Sequence, residues 1–282
     1  MKKLIFIADF FAEDYIGGAE LTTEALIKKS LSKYQIIKKR SGQITEKFIV
    51  ENKNEKFIVC NFSSLSDENK ILLCKNANYQ IVEYDYKFCK YRSPEKHLAI
   101  ENKQCDCSSS DGSKINKIFY GYAKKIWFMS EKQQEIFLDN ISVIKKEKSE
   151  VLSSIFSDGD LRFINSIKDN EKDENYIILN SNSWIKNTQG CIQYAKKHNL
   201  KYELISGLPY HEMLIKLSTS KGLIFQPSGG DTCPRIVIEA KMLGCDIKLN
   251  ENVQHKNEHW FQTREECYSY MSSRAQYFME NV

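Results

Sequence analysis

The sequence predicts an α/β protein of two domains, each a parallel sheet covered by helices. Short apolar runs typical of buried strands alternate with helix-forming segments in both halves of the chain. The 282 residues are enough for one large domain or two small ones. Hydrophobic residues make up 41% and charged residues 28%, which is typical of a globular, water-soluble chain. A polar stretch at residues 165–174 is interpreted as a surface connection.

Composition argues against several classes of protein. The net charge of +4 is spread along the chain, whereas nucleic-acid binding favours a concentrated basic face. The N-terminal apolar run is broken at Asp9 without a small-residue cleavage site, which indicates a first strand rather than a signal peptide. No run approaches the ~18 apolar residues needed to span a membrane. Nine cysteines without an export signal indicate free thiols in a reducing compartment, so we expect a cytoplasmic protein.

The predicted elements follow from hydrophobic pattern and turn residues. In the first half, strands are predicted at residues 4–7, 36–37, 48–50, 57–60, 79–84 and 126–129, and helices at 21–31, 67–75, 114–125 and 131–137. In the second half, strands are predicted at residues 176–179, 202–205, 222–225 and 246–249, and helices at 188–199, 208–218 and 260–278.

Residues 223–244 contain the most informative pattern. Pro227 ends an apolar strand, and residues 228–230 (Ser-Gly-Gly) form a loop free to adopt positive φ. Asp231 or Thr232 then caps a helix. Free amides and the positive end of the helix dipole suit an anion such as phosphate.

Two carboxylates accompany this predicted anion site. Asp231 lies in the loop, and Glu239 follows eight residues later, about two turns into the helix. Carboxylates accept strong hydrogen bonds from hydroxyl groups, so they suit a ligand that carries sugar hydroxyls as well as phosphate. The alternative is an ordinary βα unit with an Arg235–Glu239 pair at i, i+4.

The same stretch resembles the donor-site signature of the retaining GT-B glycosyltransferases of family 4. In that family a proline-serine loop leads to Glu, seven residues, Glu, then Ala and a small-Gly step. Here the order is Pro227-Ser228, Asp231, seven residues, Glu239-Ala240 and Leu243-Gly244. The resemblance implies a GT-B-like fold, in which two Rossmann-like domains face each other across a cleft. It also implies hexosyl-type transfer from a nucleotide-diphosphate sugar to a hydroxyl, with retention and without a catalytic metal.

The resemblance assigns roles in the second domain. Asp231 would hold the donor sugar and Glu239 the ribose hydroxyls, while the amides of Thr232 and Cys233, helped by Arg235, would meet the diphosphate or sugar. Three features depart from the family pattern: the first acid is Asp rather than Glu, Thr-Cys-Pro replaces Gly-Phe-Gly, and one arginine is absent. Lys186 matches the lysine of the family's Arg…Lys phosphate pair, but Ser181 stands at the arginine position. The alternative for Lys186 is a surface lysine.

The N-terminal half offers a second match. Gly17, Gly18 and Glu20 resemble the family's Gly-Gly-x-Glu loop, which faces the donor phosphates and the acceptor; the alternative is a plain tight turn. Tyr84 and Asp85 stand where the family often has an aromatic or His-Asp element near the acceptor. Asp85 would then contact an acceptor hydroxyl, or else cap a turn.

The segment from residue 87 to 113 is the least similar to the family. Cys89, His97, Cys105 and Cys107 are the right number and type of ligands for a structural zinc, although the spacing is not the usual C-x2-C knuckle; the alternative is free thiols in a loop. Basic and aromatic residues alternate here, namely Tyr86, Lys87, Phe88, Lys90, Tyr91, Arg92 and Lys96. They predict either an acceptor-side surface, with Lys87 and Arg92 as contacts, or a solvated loop.

These observations predict a domain organisation and a function. We expect an acceptor-side domain at residues 1–155 with a cysteine-rich insertion near 87–113, a trimmed nucleotide-sugar domain at 156–259, and a terminal helix at 260–282 that crosses back to the first domain. The predicted activity is sugar transfer from a nucleotide-diphosphate sugar to a hydroxyl on a glycan, a lipid-linked sugar or a modified base. The alternatives are a degenerate GT-B module that binds nucleotide or glycan without turnover, and a transferase acting on modified nucleic acid bases.

Overall fold

The computed structural model describes residues 2–110 and 113–282, so Asp111 and Gly112 of the cysteine-rich segment lie outside the described residues. Contacts divide the chain into two compact units. The first unit is Met1–Ile155 with Arg274–Val282, and the second is Phe156–Ser273.

The first unit is a six-stranded parallel sheet with helices between the strands. Its strands are β1 Lys3–Ala8, β2 Gln35–Arg40, β3 Lys56–Val59, β4 Asn78–Glu83, β5 Ile126–Phe128 and β6 Ser149–Val151, in the order β2-β1-β3-β4-β5-β6. Its helices are α1 Gly18–Ser30, α2 Glu46–Glu51, α3 Asp67–Asn76, α4 Pro94–Glu101, α5 Lys114–Tyr122 and α6 Glu131–Asn140. Central strand β1 is a continuous apolar run because both of its faces are buried.

The second unit is a four-stranded parallel sheet. In chain order its elements are α7 Asp158–Ile167, β7 Tyr176–Leu179, α8 Thr188–Lys197, β8 Tyr202–Ile205, α9 Tyr210–Thr219, β9 Gly222–Phe225, α10 Arg235–Met242 and β10 Asp246–Leu249. The strand order is β10-β9-β7-β8. A last helix, α11 Arg264–Glu280, follows.

The end of α11 belongs to the first unit. The Arg274 guanidinium donates hydrogen bonds to the carbonyls of Val151 and Leu152, at 2.7 and 3.0 Å. The Phe278 ring packs against Trp127 with 5.4 Å between centroids. Residues 274–280 therefore cover the β5–β6 edge of the first sheet.

Both sheets reverse their strand order at one point. In the first unit, β1 lies between β2 and β3; in the second, β7 lies between β8 and β9. The helical connections leave in opposite directions at these points, which opens a crevice at the carboxyl ends of the strands. In open α/β sheets this crevice is where ligands bind. The two crevices are therefore the places to look for a site.

Two sequence-based expectations about the backbone are wrong, and a third is confirmed except at one end. Residues 48–50 are in α2 rather than a strand, because the Thr45 side chain caps a helix there by accepting from the Phe48 amide at 3.3 Å. The polar surface connection is confirmed at residues 168–174, whereas residues 165–167 belong to α7, whose start is fixed by a capping box between Ser157 and Asp160. Helix α10 begins after Pro234, so neither Asp231 nor Thr232 is its N-cap.

The loop after β9 was expected to be free to adopt positive φ at its glycines. Among the described glycines, Gly207 and Gly244 have positive φ, whereas Gly229 and Gly230 do not. Gly244 has φ of +69° at the end of α10, where a left-handed residue terminates a helix most easily when it lacks Cβ. None of the nine cysteines, all within the described residues, forms a disulfide. In residues 2–110 and 113–282 we find no helix with the length and hydropathy of a membrane span.

Candidate functional site

The crevice of the second unit brings together two residues predicted from the sequence. Lys186 lies in a short 3-10 turn after β7, and Asp231 lies in the loop after β9. The Lys186 Nζ is 3.0 Å from Asp231 Oδ2, and both side chains are partly exposed. An ammonium and a carboxylate thus face each other at the point where the strand order reverses.

The loop that carries Asp231 is held by neighbouring loops. The side-chain amides of Asn250 and Asn252 donate to the Pro227 carbonyl at 2.9 and 2.8 Å. The Asp231 amide donates to the Asn252 carbonyl at 2.9 Å, and the Gln254 amide donates to the Asp231 carbonyl at 3.1 Å. The sequence reasoning missed this scaffold; the signal was the pair of asparagines directly after the last strand.

Glu239 and Arg235 form a buried polar group with Tyr210, which the sequence reasoning did not single out. The Arg235 Nη2 donates to the Tyr210 hydroxyl at 2.8 Å, and that hydroxyl donates to Glu239 Oε1 at 2.9 Å. Arg235 Nε is 3.4 Å from the same oxygen, so the i, i+4 pair weighed as the alternative is present. Burial raises the pKa of Glu239 above its ordinary value, against the opposing effect of Arg235.

The position of Arg235 bears on its expected role as a phosphate ligand. The residue is 4% exposed, and its guanidinium lies 3.9 Å from the centroid of the Phe156 ring. The predicted amide donors Thr232 and Cys233 are also buried, in the turn that leads into α10. At Ser181, where the family has arginine, the backbone amide donates to Thr188 Oγ1 at 3.1 Å.

The crevice of the first unit contains a cavity of about 590 Å³. Its lining includes residues that follow three neighbouring strands and the start of α1, namely Asp9, Phe10, Asp14, Tyr15, Glu20, Arg40, Asn61 and Arg92. Sequence reasoning found Glu20 and Arg92 of this set and missed the others. Asp9 and Asn61 come just after the ends of β1 and β3, and this position was the available signal.

Asp9 is fixed as a carboxylate at the base of this cavity. Its side chain accepts hydrogen bonds from the amides of Ser63 and Ser64, both at 3.0 Å, and from the Ser41 hydroxyl. Burial alone would raise the pKa of Asp9, but these hydrogen bonds bring the pKa below its ordinary value. Asp9 therefore stays charged at neutral pH.

Glu20 lines the same cavity. Burial raises the pKa of Glu20 above its ordinary value. Gly17 leaves the space that Glu20 occupies, since a Cβ at Gly17 would lie 2.5 Å from Glu20 Oε2 and 2.8 Å from the Tyr15 ring. Gly17 has an extended backbone with φ of −133°, so it is needed here for space rather than for an unusual turn.

Arg92 is held in place by a group of charges at the end of β4. Asp85 Oδ2 accepts from Arg92 Nε at 2.7 Å, and Asp85 Oδ1 accepts from Lys87 Nζ at 3.1 Å. Lys87 also donates to the fully buried Glu83 at 2.7 Å. Burial raises the pKa of Glu83 above its ordinary value, although Lys87 opposes the shift. Asp85 therefore positions Arg92, and its contact with an acceptor hydroxyl stays a prediction.

The segment predicted as an acceptor-side surface is divided between the core and the cavity. Tyr86 and Phe88 are 1% and 3% exposed and belong to the hydrophobic core, and the Lys87 side chain is 3% exposed in the charge cluster. Arg92 lines the cavity, so the acceptor-side role stays a prediction for Arg92, whereas Lys87 is buried. Tyr84 is half-buried, and its hydroxyl lies 2.7 Å from Thr23 Oγ1 rather than in the lining of the cavity.

The four residues considered as metal ligands lie together. One candidate ligand atom from each of Cys89, His97, Cys105 and Cys107 falls within 4.8 Å of all the others. The segment between them is partly helical, since α4 contains His97. This group could hold a metal ion.

Comparisons with known proteins agree on the fold. No protein-family model matches the chain, and no curated protein matches it. Several solved structures match the chain over nearly its whole length. HepE from Anabaena, in complex with UDP and glucose, is 10% identical with a TM-score of 0.57, covering 98% of this chain and 95% of that one. Sucrose-phosphate synthase from Thermosynechococcus elongatus is 9% identical with a TM-score of 0.63, covering 100% and 98%.

A third similar structure has a different activity. The UDP-GlcNAc 2-epimerase of Methanocaldococcus jannaschii, in complex with UDP-GlcNAc and UDP, is 10% identical with a TM-score of 0.55, covering 98% of this chain and 93% of that one. At such identities the likeness establishes the fold alone. The chain has the GT-B-like α/β fold predicted from its sequence, with a short second sheet of four strands.

Proposed function

We propose that this protein transfers a sugar from a nucleotide-diphosphate sugar to a hydroxyl acceptor. The observation that carries the proposal is the Lys186–Asp231 pair at the crevice of the second sheet, 3.0 Å apart and open to solvent. The donor has both groups that such a pair can bind, an anionic diphosphate and sugar hydroxyls. When the donor enters, Lys186 turns to the phosphate, and the freed Asp231 accepts from a sugar hydroxyl.

The chemistry proposed for the site is a front-face displacement at the anomeric carbon, in which the acceptor enters on the face from which the diphosphate leaves, so the configuration is retained. The bond from that carbon to the diphosphate oxygen breaks, a bond to the acceptor oxygen forms, and the acceptor proton passes to the leaving phosphate. Lys186 and the amides of Thr232 and Cys233 stabilise the charge on the diphosphate. Glu239 orients the ribose, and no divalent metal is required of the chain.

The acceptor is assigned to the cavity of the first unit. Asp9 and Glu20 supply carboxylates for hydroxyl groups, Arg92 supplies a cation, and Phe10 and Tyr15 supply apolar faces. A cavity of about 590 Å³ is large enough for a small glycan. Gly17 and Gly18, at the start of α1, supply amides for an anion. A nucleic-acid acceptor is less well supported, because Tyr86 and Phe88, two of the three aromatic residues that could stack on bases, are buried.

One alternative is a GT-B module that binds nucleotide or glycan without turnover. It is favoured by Ser181 in place of arginine and by the burial of Arg235, which leave Lys186 as the proposed side-chain cation for the diphosphate. Release of free nucleoside diphosphate in the presence of a donor and a mixture of hydroxyl acceptors separates the two functions. Binding without release would support the module.

The first test is a thermal-shift screen with UDP, GDP, ADP, CMP and their common sugars. A ligand that binds the folded chain raises the melting temperature, and the shift grows with the logarithm of its concentration over Kd. Lys186→Ala should weaken binding of the best ligand by removing a charged hydrogen bond of ~1.5–3 kcal/mol, roughly 10- to 100-fold. The control is Lys201→Ala, an exposed lysine of the same unit paired with Glu174. Equal affinity in both variants would refute the donor site.

A further inference from the structure

We propose that Cys89, His97, Cys105 and Cys107 bind one zinc ion, and that this ion fixes the loop that carries Arg92 into the cavity of the first unit. The proposal does not depend on the reaction. It follows from the geometry of four side chains and from the backbone that links them to Arg92.

The spacing of the ligand atoms fits a tetrahedral ion. His97 Nδ1 lies 3.3 Å from Cys107 Sγ and 3.8 Å from Cys89 Sγ, and all four ligand atoms are within 4.8 Å of one another. Zn–S bonds of about 2.3 Å and a Zn–N bond of about 2.0 Å give tetrahedral edges of about 3.5 Å between sulfur and nitrogen and about 3.8 Å between sulfurs. The two measured distances lie on either side of the first value.

The surroundings of the four side chains also favour a metal. Cys89, His97 and Cys107 are buried, and Cys105 is half-buried. Without an ion, His97 Nδ1 has only thiol groups close by in this cluster, and thiols are weak hydrogen-bond partners. Buried polar atoms are seldom left in such a state. Three thiolates and one imidazole fill four positions, which defines a closed structural site.

The fold brings these residues together by local means. Ser93 caps α4 and Pro94 begins it, so that His97 lies in its first turns. The helix ends at Asn102, whose left-handed φ of +53° turns the chain back toward Cys105 and Cys107. Cys89 comes from the turn before the helix, where its amide donates to the Tyr86 carbonyl at 2.8 Å.

A second cavity adjoins the cluster. It has a volume of about 320 Å³ and is lined by Cys89, His97 and Cys107 together with three lysines, Lys87, Lys90 and Lys103. These lysines pair with carboxylates, namely Glu83 and Asp85, Glu101 and Asp106. The zinc proposal therefore rests on the four ligands and their spacing rather than on nearby charge.

The turn at Cys89 connects the cluster to Arg92. The Arg92 amide donates to the Cys89 carbonyl at 2.9 Å, and Arg92 has φ of +57°, which is uncommon for a residue with Cβ. Such a conformation persists only where its surroundings enforce it. An ion that fixes Cys89 and His97 on either side of Arg92 would enforce it, and so hold the guanidinium against Asp85 at the cavity.

Metal analysis of the purified protein tests the site. We expect about one zinc per chain, and far less in Cys107→Ser and His97→Ala. Cys74→Ser is the matched control, since Cys74 is a half-buried cysteine of the same unit outside the cluster. Cobalt added to the zinc-free protein should give the absorption bands of a tetrahedral thiolate site. No cobalt spectrum with wild type, zinc retained by Cys107→Ser, or a disulfide among these cysteines in the freshly purified protein would overturn the proposal.

The positioning of Arg92 is tested on the wild-type chain, so that no variant has to fold. Hydrogen exchange of peptides that cover residues 86–107 is compared before and after removal of zinc by a chelator. We expect faster exchange there and unchanged exchange in β7 and α8 of the second unit. If zinc leaves and the exchange near Arg92 stays the same, the ion does not fix the loop.

Discussion

Substitution of Glu239 tests whether the buried polar group of Arg235, Glu239 and Tyr210 contributes to stability, to nucleotide binding or to both. Glu239→Ala removes the carboxylate that accepts from the Tyr210 hydroxyl at 2.9 Å and lies 3.4 Å from Arg235 Nε. Glu239 and Arg235 are only 3% and 4% exposed, so the variant removes a buried carboxylate from beside a buried guanidinium. Breaking a buried ion pair in this way costs ~3–5 kcal/mol of unfolding free energy.

The assay is chemical denaturation of four proteins: wild type, Glu239→Ala, Arg235→Met and the double variant. The double variant should be more stable than Glu239→Ala, because it no longer buries the Arg235 charge in the absence of Glu239. Nucleotide binding is measured with Glu239→Gln, because glutamine keeps an oxygen that can accept from the Tyr210 hydroxyl. We expect this variant to bind nucleotide more weakly than wild type. A double variant no more stable than Glu239→Ala would refute the argument for a paired charge. Unchanged affinity in Glu239→Gln would refute the ribose role.

Three further predictions concern other parts of the chain. Gly17→Ala should displace Glu20 and lower affinity for any ligand of the first cavity, measured by calorimetry, with unfolding free energy as the control. Asp9→Asn should lose stability at pH 7 relative to wild type. Because the hydrogen bonds to Asp9 hold its folded-state pKa below the ordinary value, the difference should shrink as pH falls through that folded pKa, and a constant difference would contradict this. Ser157→Ala removes the hydroxyl bonded to the Asp160 amide and should cost ~1 kcal/mol by denaturation, with no change in nucleotide affinity.

The fold class could be predicted because strand and helix signals are local. Runs such as residues 4–7 and 222–225 are apolar throughout, and only a strand buried on both faces needs such a run. The same rule failed at residues 48–50, where an apolar triplet follows a threonine that caps a helix. Capping by Thr45 outweighed the β preference of Phe and Val in this short segment.

The candidate site was less predictable because it depends on which strands are neighbours. Lys186 and Asp231 are 45 positions apart and meet only because β7 and β9 pair. Asp9 and Asn61 meet for the corresponding reason in the first sheet. A motif can point to Asp231, but the burial of Arg235 and its contact with Tyr210 depend on side-chain packing that no spacing in the sequence records.

The division of α11 has a consequence for folding. Residues 274–282 complete the first unit, yet the ribosome makes them after the whole second unit. For example, Ser30 Oγ lies 3.0 Å from Met279 Sδ, and the two residues are 249 positions apart. This contact can form only after the second unit has been synthesised. Contacts of such large sequence separation are slow to form because loop closure must come first. The second unit can therefore fold as an insert during synthesis, before the last segment of the first unit is available.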